Sequence, residues 1–347
     1  MSDFSPKTVL DSLNLGLHQA LEGDPNVILL GEDVLDPYGG AFKVTRGLSS
    51  QFPEQVMTTP ISEAGITGIA GGMALRGLRP VVEIMFGDFT TLIADQVINH
   101  LSKFQAMYQG QVNTPVVIRT PMGGRRGYGP THSQSLEKFF LGVPGLTVLA
   151  PFHLKGDDTP GAPGKLLYDA ITKLNSPVFF VENKLQYLLK LLTSEDLGEF
   201  EHSAFSTTGS PVFPFYQFTL QSAPPPQITL AAYGYMAHLA IKAALRLAYD
   251  EELFCEVLVP TQLSPFELAP LYDSVRKTTR LLTIEEGTPT SGWGAEVLAK
   301  TTEMLGPDLK LASRLGAAGD VVPAAPSLEK ACLPGVEDIV TRVREMV

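Results

Sequence analysis

Apolar and polar positions along the chain form two alternating patterns. Short continuous apolar runs, which are typical of buried strands, separate segments whose apolar residues recur every three or four positions, as in amphipathic helices. Alternation of strand and helix implies right-handed crossovers and a mostly parallel sheet. We therefore predict an α/β protein of two domains, residues 1–187 and 228–347, joined by a linker at 188–227 that lacks a clear period.

The same periodicity predicts the individual elements. For the first domain these are helices over 5–23, 45–52, 62–77, 88–108 and 164–173, and strands over 27–30, 81–85, 115–119, 146–150 and 177–181. For the second domain they are strands over 228–232, 254–259 and 280–284, and helices over 236–249, 266–277, 291–305, 327–331 and 336–346. In both domains strands and helices alternate, as the predicted fold requires.

The stretch 59–89 combines features of a ligand site. A strand ends before Pro60, and Ser62 and Glu63 then begin a helix. The next predicted strand is followed by a turn at Phe86-Gly87-Asp88-Phe89. This order places a carboxylate near one strand end and aromatic rings near the next, where ligand crevices of open α/β sheets lie. A glutamate in a first helical turn also complements the helix macrodipole, worth about 0.3–1 kcal/mol, so a purely structural role stays an alternative.

The helix that Glu63 opens is rich in glycine. Each Gly inside a helix costs roughly 0.5–1 kcal/mol relative to Ala, so close packing must compensate. We expect this helix to press against another backbone, either of this chain or of another subunit. The glycines are Gly65, Gly68, Gly71 and Gly72.

Two loops carry further candidate residues. Segment 121–135 holds four Gly and two Pro, so it is either a mobile flap or a backbone that approaches something closely. Its His132 suits proton transfer because the ordinary pKa of histidine is about 6.5, although a loop histidine is often exposed or bonded to backbone. Arg125 and Arg126 either hold a carboxylate or phosphate or are simply solvated. The acidic turn Gly31-Glu32-Asp33 is either functional or an ordinary polar turn.

Composition and charge narrow the class of protein. Hydrophobic residues make up 44% and charged residues 18% of the 347 residues, as in soluble globular proteins. The formal net charge of −11 argues against nonspecific nucleic-acid binding. No run reaches the roughly 20 apolar residues that span a bilayer, no signal-peptide pattern opens the chain, and the two cysteines make neither a disulfide framework nor a metal site. We expect no nucleic-acid partner, no membrane and a cytoplasmic location.

Short motifs follow one another along nearly the whole chain. They are Gly31-Glu32-Asp33-Val34, Gly39-Gly40-x-Phe42, Thr59-Pro60-Ile61-Ser62-Glu63, Gly77-Leu78-Arg79-Pro80, Asp95-Gln96-x-x-Asn99, His132-Ser133-Gln134, Pro144-Gly145-Leu146, Glu285-Glu286-Gly287, Ser291-Gly292-x-Gly294-Ala295-Glu296 and Leu328-Glu329-Lys330. In order and spacing the chain resembles the beta subunit of the decarboxylating component of 2-oxo acid dehydrogenase complexes, with pyruvate dehydrogenase the nearest comparison. The resemblance leaves out residues 152–163 and 188–227.

This resemblance implies a thiamine diphosphate enzyme with a pyrimidine-binding transketolase-like domain followed by a transketolase C-terminal-like domain. An alpha subunit then holds the diphosphate and Mg²⁺, and the lack of a GDG motif with a downstream Asn in this chain fits that division. Glu63 matches the glutamate that hydrogen-bonds the pyrimidine ring nitrogen, Phe89 an aromatic packed beside the ring, and Ile61 a neighbouring apolar wall. His132 matches an active-site histidine suited to proton transfer to the substrate or to a lipoyl dithiolane.

The resemblance also implies partners and an activity. The family forms an alpha2–beta2 heterotetramer whose beta C-terminal domain binds the dihydrolipoyl acyltransferase core. The implied reaction is oxidative decarboxylation of a 2-oxo acid, foremost pyruvate, with acyl transfer to lipoamide. Acetoin cleavage, a biosynthetic acyl transfer and a noncatalytic scaffold stay open because the two excluded stretches diverge. A structural K⁺ would lie on backbone carbonyls around Val116, Ala170 and Asn175, although 172–176 differs in length and lacks the usual Asp.

Overall fold

The structure, a computed structural model, describes residues 6–156, 159–206, 213–319 and 321–347. The chain forms two units: one comprises Met1–Met122 and Phe139–Thr193, the other Gly123–Lys138 and Ser194–Val347. The glycine-rich loop therefore belongs to the second unit, although along the sequence it lies within the first predicted domain. Asp157 and Asp158, and residues 207–212 of the predicted linker, lie outside the described residues.

The first unit is built on a parallel sheet. Its helices are α1 (Val9–Gly23), α2 (Leu48–Gln51), α3 (Glu63–Leu75), α4 (Ser102–Met107) and α5 (Ala162–Lys173), and its strands are β1 (Val27–Gly31), β2 (Val56–Thr58), β3 (Arg79–Glu83), β4 (Val117–Met122), β5 (Thr147–Leu149) and β6 (Val178–Asn183). These strands lie in the order β5-β6-β4-β3-β1-β2 with parallel pairing throughout. Nearly all residues of β1, β3 and β4 are buried, as continuous apolar runs in a covered sheet require.

Helix α1 has a capped start and a closely packed face. Thr8 Oγ1 accepts the Asp11 N–H at 3.2 Å while the Asp11 carboxylate accepts the Thr8 N–H at 3.1 Å, a reciprocal capping box. The predicted start at residue 5 was therefore too early. Against α5 the fit is tight, because a Cβ added at Gly164 would lie 2.0 Å from the Ser12 carbonyl oxygen.

The segment predicted as one helix over 88–108 is not a continuous α-helix. It consists of a 3₁₀-helix at Gly87–Ile93, a π-helix at Gln96–Leu101 and then α4. Side chains bond a backbone carbonyl where π-helical hydrogen bonding gives way to α-helical hydrogen bonding. Ser102 Oγ and Lys103 Nζ both donate to the Ile98 carbonyl at 2.9 Å. Apolar spacing does not report such changes in hydrogen bonding, which explains the error, and irregular turns of this kind are frequent at functional sites.

The glycines of α3 meet side chains of this irregular segment. A Cβ at Gly71 would lie 2.9 Å from Leu101 Cδ2, and one at Gly68 would lie 3.3 Å from Gln96 Oε1. Gly72 is exposed and has no atom within 4 Å of such a Cβ. Within this chain Gly68 and Gly71 therefore lie next to side chains and not next to another backbone, and the alternative of a backbone from another subunit stays a prediction.

The second unit carries a mixed sheet. Its strands are β7 (Phe200–Ser206), β8 (Pro214–Leu220), β9 (Ile228–Ala232), β10 (Cys255–Pro260), β11 (Gln262–Ser264), β12 (Arg280–Ile284) and β13 (Leu311–Leu315), and its helices are α6 (Gly234–Glu251), α7 (Ala269–Thr278), α8 (Trp293–Leu305), α9 (Pro326–Cys332) and α10 (Val336–Arg344). Six of these strands, all except β11, form the sheet, in the order β13-β12-β9-β10-β8-β7. The predicted strands at 228–232 and 280–284 agree with β9 and β12 residue for residue.

The predicted linker is not irregular. Within it, β7 and β8 pair antiparallel, and β8 pairs antiparallel with β10, so this segment extends the sheet. Strand β8 has no regular alternation, with Phe215, Tyr216 and Phe218 buried. Strand β7 escaped prediction because it lies at the sheet edge with six of its seven residues exposed, which leaves no alternation of buried and exposed positions. Strand β13 was missed for the same reason, since none of its five residues is buried.

Candidate active site

Two buried carboxylates lie where β1 ends and α3 begins. Glu63 is the first residue of α3 and is 8% exposed, and Glu32, which follows β1 directly, is 7% exposed. The Thr59 N–H donates to the Gly31 carbonyl at 3.1 Å, and the Ser62 N–H donates to the Glu32 carboxylate. These backbone bonds bring both acids to one corner of the first unit.

The surroundings of this corner raise the pKa of the Glu32 carboxyl group. Burial raises the pKa of Glu32, the charge of Glu63 raises it further, and the Ser62 N–H opposes both effects in part. Glu32 Oε1 is buried and, among the described residues, has no hydrogen-bond partner. The corner therefore combines a carboxyl group of raised pKa with a second buried acid, and its carboxylate oxygens can accept a hydrogen bond from the N–H of a ligand ring.

Topology places the other predicted coenzyme residues at the same sheet edge. Strands β2, β1 and β3 are adjacent and parallel, so the residues that follow their carboxyl ends share one edge. Ile61 follows β2, Glu32 follows β1, and Phe89 lies in the 3₁₀-helix after β3. Ile61, Glu63 and Phe89 are thus distributed along the edge at which ligands of such sheets bind.

Aromatic rings form a chain of contacts beginning at Phe89. Phe89 packs edge-to-face on Phe86 with centroids 5.8 Å apart, and Phe86 packs in the same way on Phe42 at 5.7 Å. The Lys184 ammonium lies 5.0 Å from the centroid of the Phe86 ring. Ile61 by contrast is 84% exposed, which suits a contact with a ligand or another chain.

A buried ionic cluster, which the sequence analysis missed, links β3, β4 and β6. Arg119 Nε and Nη2 donate to Glu182 at 2.8 and 2.6 Å, Nη1 donates to Glu83, and the Tyr187 hydroxyl donates to Glu182 at 2.5 Å. Burial would lower the pKa of Arg119, but the two carboxylates outweigh it and raise that pKa, whereas burial raises the pKa of Glu83. The sequence signal for this cluster was the presence of charged residues inside apolar runs. The parallel register of β3 and β4 then sets Glu83 beside Arg119.

His132 lies in the loop of the second unit within a hydrogen-bonded turn. Its N–H donates to the Gly129 carbonyl at 3.3 Å, and its Nδ1 lies 3.0 Å from the Thr131 hydroxyl oxygen. The Gly123 N–H donates to the Gln134 carbonyl at 3.2 Å and closes the base of the loop. The loop is therefore organised by its own backbone around the predicted histidine.

The two arginines of this loop differ in their surroundings. Arg125 Nη2 donates to the Pro334 carbonyl at 2.6 Å, and Arg125 Nε lies 3.6 Å from Glu286 Oε2. The guanidinium also lies 5.8 Å from the centre of the Tyr235 ring. Arg125 thus serves contacts within the unit, whereas Arg126 is exposed.

The second unit contains two more buried acids: Glu137 just after the loop, and Glu285 just after β12. The Tyr233 hydroxyl donates to Glu137 Oε1 at 2.5 Å, and burial raises the pKa of Glu137. Glu285 accepts the N–H groups of Trp293 and Gly294 at 3.0 and 3.1 Å, at the start of α8. Burial, followed by the charge of Glu137, raises the pKa of Glu285 to about 7. The sequence analysis assigned no role to this pair.

Two of the three carbonyls expected to hold K⁺ accept backbone hydrogen bonds. The Val116 and Asn175 carbonyls accept the N–H groups of Val178 and Thr114 at 2.9 and 3.0 Å. Nearby, the Arg79 guanidinium donates to the carbonyls at the end of α5, those of Ile171 and Leu174. Among the described residues there is no group of three or more His, Cys, Asp or Glu side chains placed to hold a metal ion.

Comparison with known proteins gives the family. The family described as "Transketolase, pyrimidine binding domain" matches residues 6–188, and "Transketolase, C-terminal domain" matches residues 219–339. A solved chain described as a split-gene transketolase, inactive beta4 tetramer, covers 98% of this chain and is itself covered to 98%, with a TM-score of 0.73 and 18% identity. This likeness supports the predicted fold class.

Curated relatives are more similar in sequence. The mitochondrial pyruvate dehydrogenase E1 component subunit beta-1 of Arabidopsis thaliana is 38% identical over 335 residues, which are 96% of this chain and 87% of that protein. The subunit beta of the acetoin:2,6-dichlorophenolindophenol oxidoreductase of Bacillus subtilis is 33% identical over 357 residues, 97% of this chain and 96% of that protein. The pyruvate dehydrogenase E1 component subunit beta of Leifsonia xyli is 36% identical over 333 residues, 95% and 92% of the two chains. The chain therefore belongs to the family of beta subunits of the thiamine-diphosphate-dependent decarboxylating components of 2-oxo acid dehydrogenase complexes, within the transketolase-like superfamily.

Proposed function

We propose that this chain is the beta subunit of a pyruvate dehydrogenase decarboxylating component and binds the aminopyrimidine half of thiamine diphosphate. The observation that carries the proposal is the buried acid corner, Glu63 at the start of α3 beside Glu32 at the end of β1. An alpha subunit would hold the diphosphate and Mg²⁺, so the beta chain alone would have no turnover.

The residues at this corner fit a nitrogenous ring. Glu63 would accept the hydrogen bond of a ring nitrogen and stabilise its protonated form, and Glu32 would keep a proton within the corner. Phe89 and Ile61 would offer apolar surface to the ring faces. When bound, thiamine diphosphate supplies the nucleophilic carbon and the electron sink that decarboxylation of a 2-oxo acid needs. The protein's part is to orient the ring and set its protonation state.

His132 is proposed as the proton-transfer residue for substrate or lipoyl dithiolane. A histidine is suited to this work near neutral pH. The Thr131 hydroxyl, 3.0 Å from Nδ1, helps to orient the ring and can donate to or accept from this nitrogen. Acyl transfer to lipoamide would then follow decarboxylation, on an acyltransferase core bound through the C-terminal domain.

Acetoin cleavage is the second candidate function. It is favoured by the similarity, over 97% of this chain, to the beta subunit of the Bacillus subtilis acetoin oxidoreductase. Both reactions would use the same corner, so Glu63 does not discriminate between them. A noncatalytic scaffold is a weaker reading, because both Glu63 and His132 are retained.

The assembly and location are further parts of the proposal. We propose an alpha2–beta2 heterotetramer in the cytoplasm; the Arabidopsis relative is named as mitochondrial, which applies to that protein. Among the described residues no helix is long and apolar enough to cross a membrane. A K⁺ on the carbonyls of Val116, Ala170 and Asn175 stays a prediction, which elemental analysis of the purified assembly would test.

The proposal is tested in the complex copurified with its natural alpha partner, thiamine diphosphate and Mg²⁺. Glu63→Gln keeps the size of the side chain but not its charge, so we expect turnover to fall roughly 10²–10⁴-fold. Glu54→Gln, at an exposed site of the same unit, should keep the wild-type rate. Unchanged turnover in Glu63→Gln would contradict the assignment.

A substrate panel separates the two enzymatic readings. Pyruvate, branched 2-oxo acids and acetoin are compared in the same complex, with the beta chain alone as a blank. Highest kcat/KM with pyruvate supports the proposal, whereas highest kcat/KM with acetoin favours the second candidate. An assembly that binds its alpha partner but turns over none of these compounds would favour the scaffold.

The role of His132 is tested by its substitution with alanine. We expect lipoyl acylation to fall more than decarboxylation measured with an artificial electron acceptor, because only the first reaction delivers a proton to the dithiolane. His202→Ala, at an exposed position of β7, is the matched control. Equal losses in both assays would count against the role.

A further inference from the structure

The backbone on which the His132 loop begins rests on two buried glutamates. Glu286 follows β12 and is 5% exposed, and Glu329 lies in α9 and is 4% exposed. The two oxygens of Glu329 accept the N–H groups of Arg125 and Gly127 at 2.7 and 3.1 Å, while Glu286 accepts that of Gly124 at 2.7 Å. Three backbone donors within four residues are thus directed at two carboxylates.

The conformation of this backbone depends on the support beneath it. Arg125 has φ +67° and Gly127 has φ +69°, in the left-handed region that side chains other than glycine rarely adopt. A Cβ at Gly124 would lie 2.6 Å from Leu333 Cδ1 and 3.2 Å from Glu329 Oε1, so a larger residue there would require these side chains to shift. A strained residue persists where its surroundings over-determine it. Here the surroundings are the carboxylates and the end of α9.

The Arg125 side chain reinforces the same support. It donates to the Pro334 carbonyl at 2.6 Å and ion-pairs with Glu286 at 3.6 Å. Successive N–H groups around a left-handed residue form an anion-binding concavity, and in this protein the anions are its own carboxylates. Glu286 therefore pairs with the arginine's charge, and the two glutamates together hold the backbone around it.

We propose that Glu286 and Glu329 are positioning residues, which hold residues 124–127 and thereby the turn that presents His132 for acyl transfer. The inference rests on the proposed function, because the role of His132 is part of it. Neither carboxylate needs to touch substrate or coenzyme, since both act through the loop backbone. Their substitution should therefore disturb the loop before it disturbs the coenzyme corner.

The loop itself is tested by amide hydrogen exchange on the full chain, a measurement that needs no activity. Glu329→Gln replaces one acceptor oxygen by an NH₂ group that faces an N–H donor. We expect exchange at Arg125 and Gly127 to accelerate roughly 10–100-fold, while amides of β12 keep their rates. Glu303→Gln, at an exposed site of α8, is the control. Unchanged exchange at these two amides would overturn the proposal.

Function is tested in the complex with its alpha partner. In Glu329→Gln we expect lipoyl acylation to fall roughly 10–100-fold and decarboxylation with an artificial acceptor to stay near wild type. Glu286→Gln, which loses one backbone contact rather than two, should show the same split to a smaller degree and carries the test if Glu329→Gln does not fold.

The outcomes separate this inference from the function it rests on. Faster exchange together with an acylation loss supports it. Faster exchange with normal acylation, in an enzyme that His132→Ala does impair, overturns it. If His132→Ala does not change lipoyl acylation while Glu329→Gln accelerates amide exchange in the loop, the proposed role of His132 fails. The conclusion that Glu286 and Glu329 hold the loop backbone then still stands.

Discussion

Both units bury carboxylates, but they compensate the charge in different ways. In the first unit a single guanidinium, that of Arg119, serves both Glu83 and Glu182. In the second unit burial, and then the charge of Glu137, raises the pKa of Glu285, and the two acids are met by a tyrosine hydroxyl and by backbone N–H groups, with the more weakly acting Lys138 opposing both shifts. A neighbouring cation lowers the pKa of a buried acid and so opposes the effect of burial, whereas neutral donors oppose it less. The first cluster therefore depends on an intact ion pair and the second depends on pH.

The largest effect is expected where the cation is removed. Arg119→Met would leave Glu83 and Glu182 buried without it, and breaking a buried pair in this way costs about 3–5 kcal/mol. Urea unfolding of the full chain should show an earlier midpoint, whereas Arg76→Met, at an exposed site, should leave it in place. The triple variant Glu83→Gln, Arg119→Met, Glu182→Gln should recover much of the loss. A wild-type midpoint in Arg119→Met would mean that the charges are not compensated by the guanidinium.

A somewhat smaller effect is expected from pH in the second unit. The pKa of Glu285 is about 7 in the folded chain against an ordinary 4.5, so the folded state binds this proton more tightly than the unfolded state. The stability from this group is full below pH 4.5 and is lost as the pH rises to about 7, a change of about 3 kcal/mol. Unfolding midpoints measured across this range should fall in the wild type and fall less in Glu285→Gln. The same slope in both proteins would contradict the assignment.

The smallest effect compares two tyrosines that each donate to a buried glutamate. Tyr187→Phe should cost about 1 kcal/mol, because Glu182 keeps two N–H donors from Arg119. Tyr233→Phe should cost about 2 kcal/mol, because Glu137 Oε2 has no hydrogen-bond partner among the described residues. Differences in unfolding midpoint between the two variants measure this contrast. A larger loss for Tyr187→Phe would reverse it.

Strand prediction succeeded where burial is complete. The runs that became β9 and β12 are buried along nearly their whole length, and a continuous apolar run marks such strands directly. Strands β7 and β13 lie at the edges of the same sheet, where six of the seven residues of β7 are exposed and none of the five residues of β13 is buried. Backbone pairing holds these edge strands in the sheet and imposes no apolar period on their sequence. The segment that contains β7 was therefore predicted as a linker, although it forms a hairpin with β8.

The candidate site was predictable in part. Glu63 and Phe89 follow from a carboxylate and an aromatic placed at successive strand ends, and His132 from a glycine-rich loop, with the family resemblance choosing among their alternatives. Glu32 was noted only as part of a polar turn. Its relation to Glu63 requires the parallel register of β1 and β2, which aligns residues distant in sequence.

The order of apolar runs and turn residues was enough to determine an α/β fold of two units and, through short motifs, the family. Only the tertiary structure decided which polar groups share a buried space: Arg119 with two glutamates, Glu32 with Glu63, and the 124–127 backbone with Glu286 and Glu329. The physical reason is that apolar burial has a period along the chain, whereas the pairing of buried charges and donors depends on distances between residues that the chain separates by up to about 200 positions.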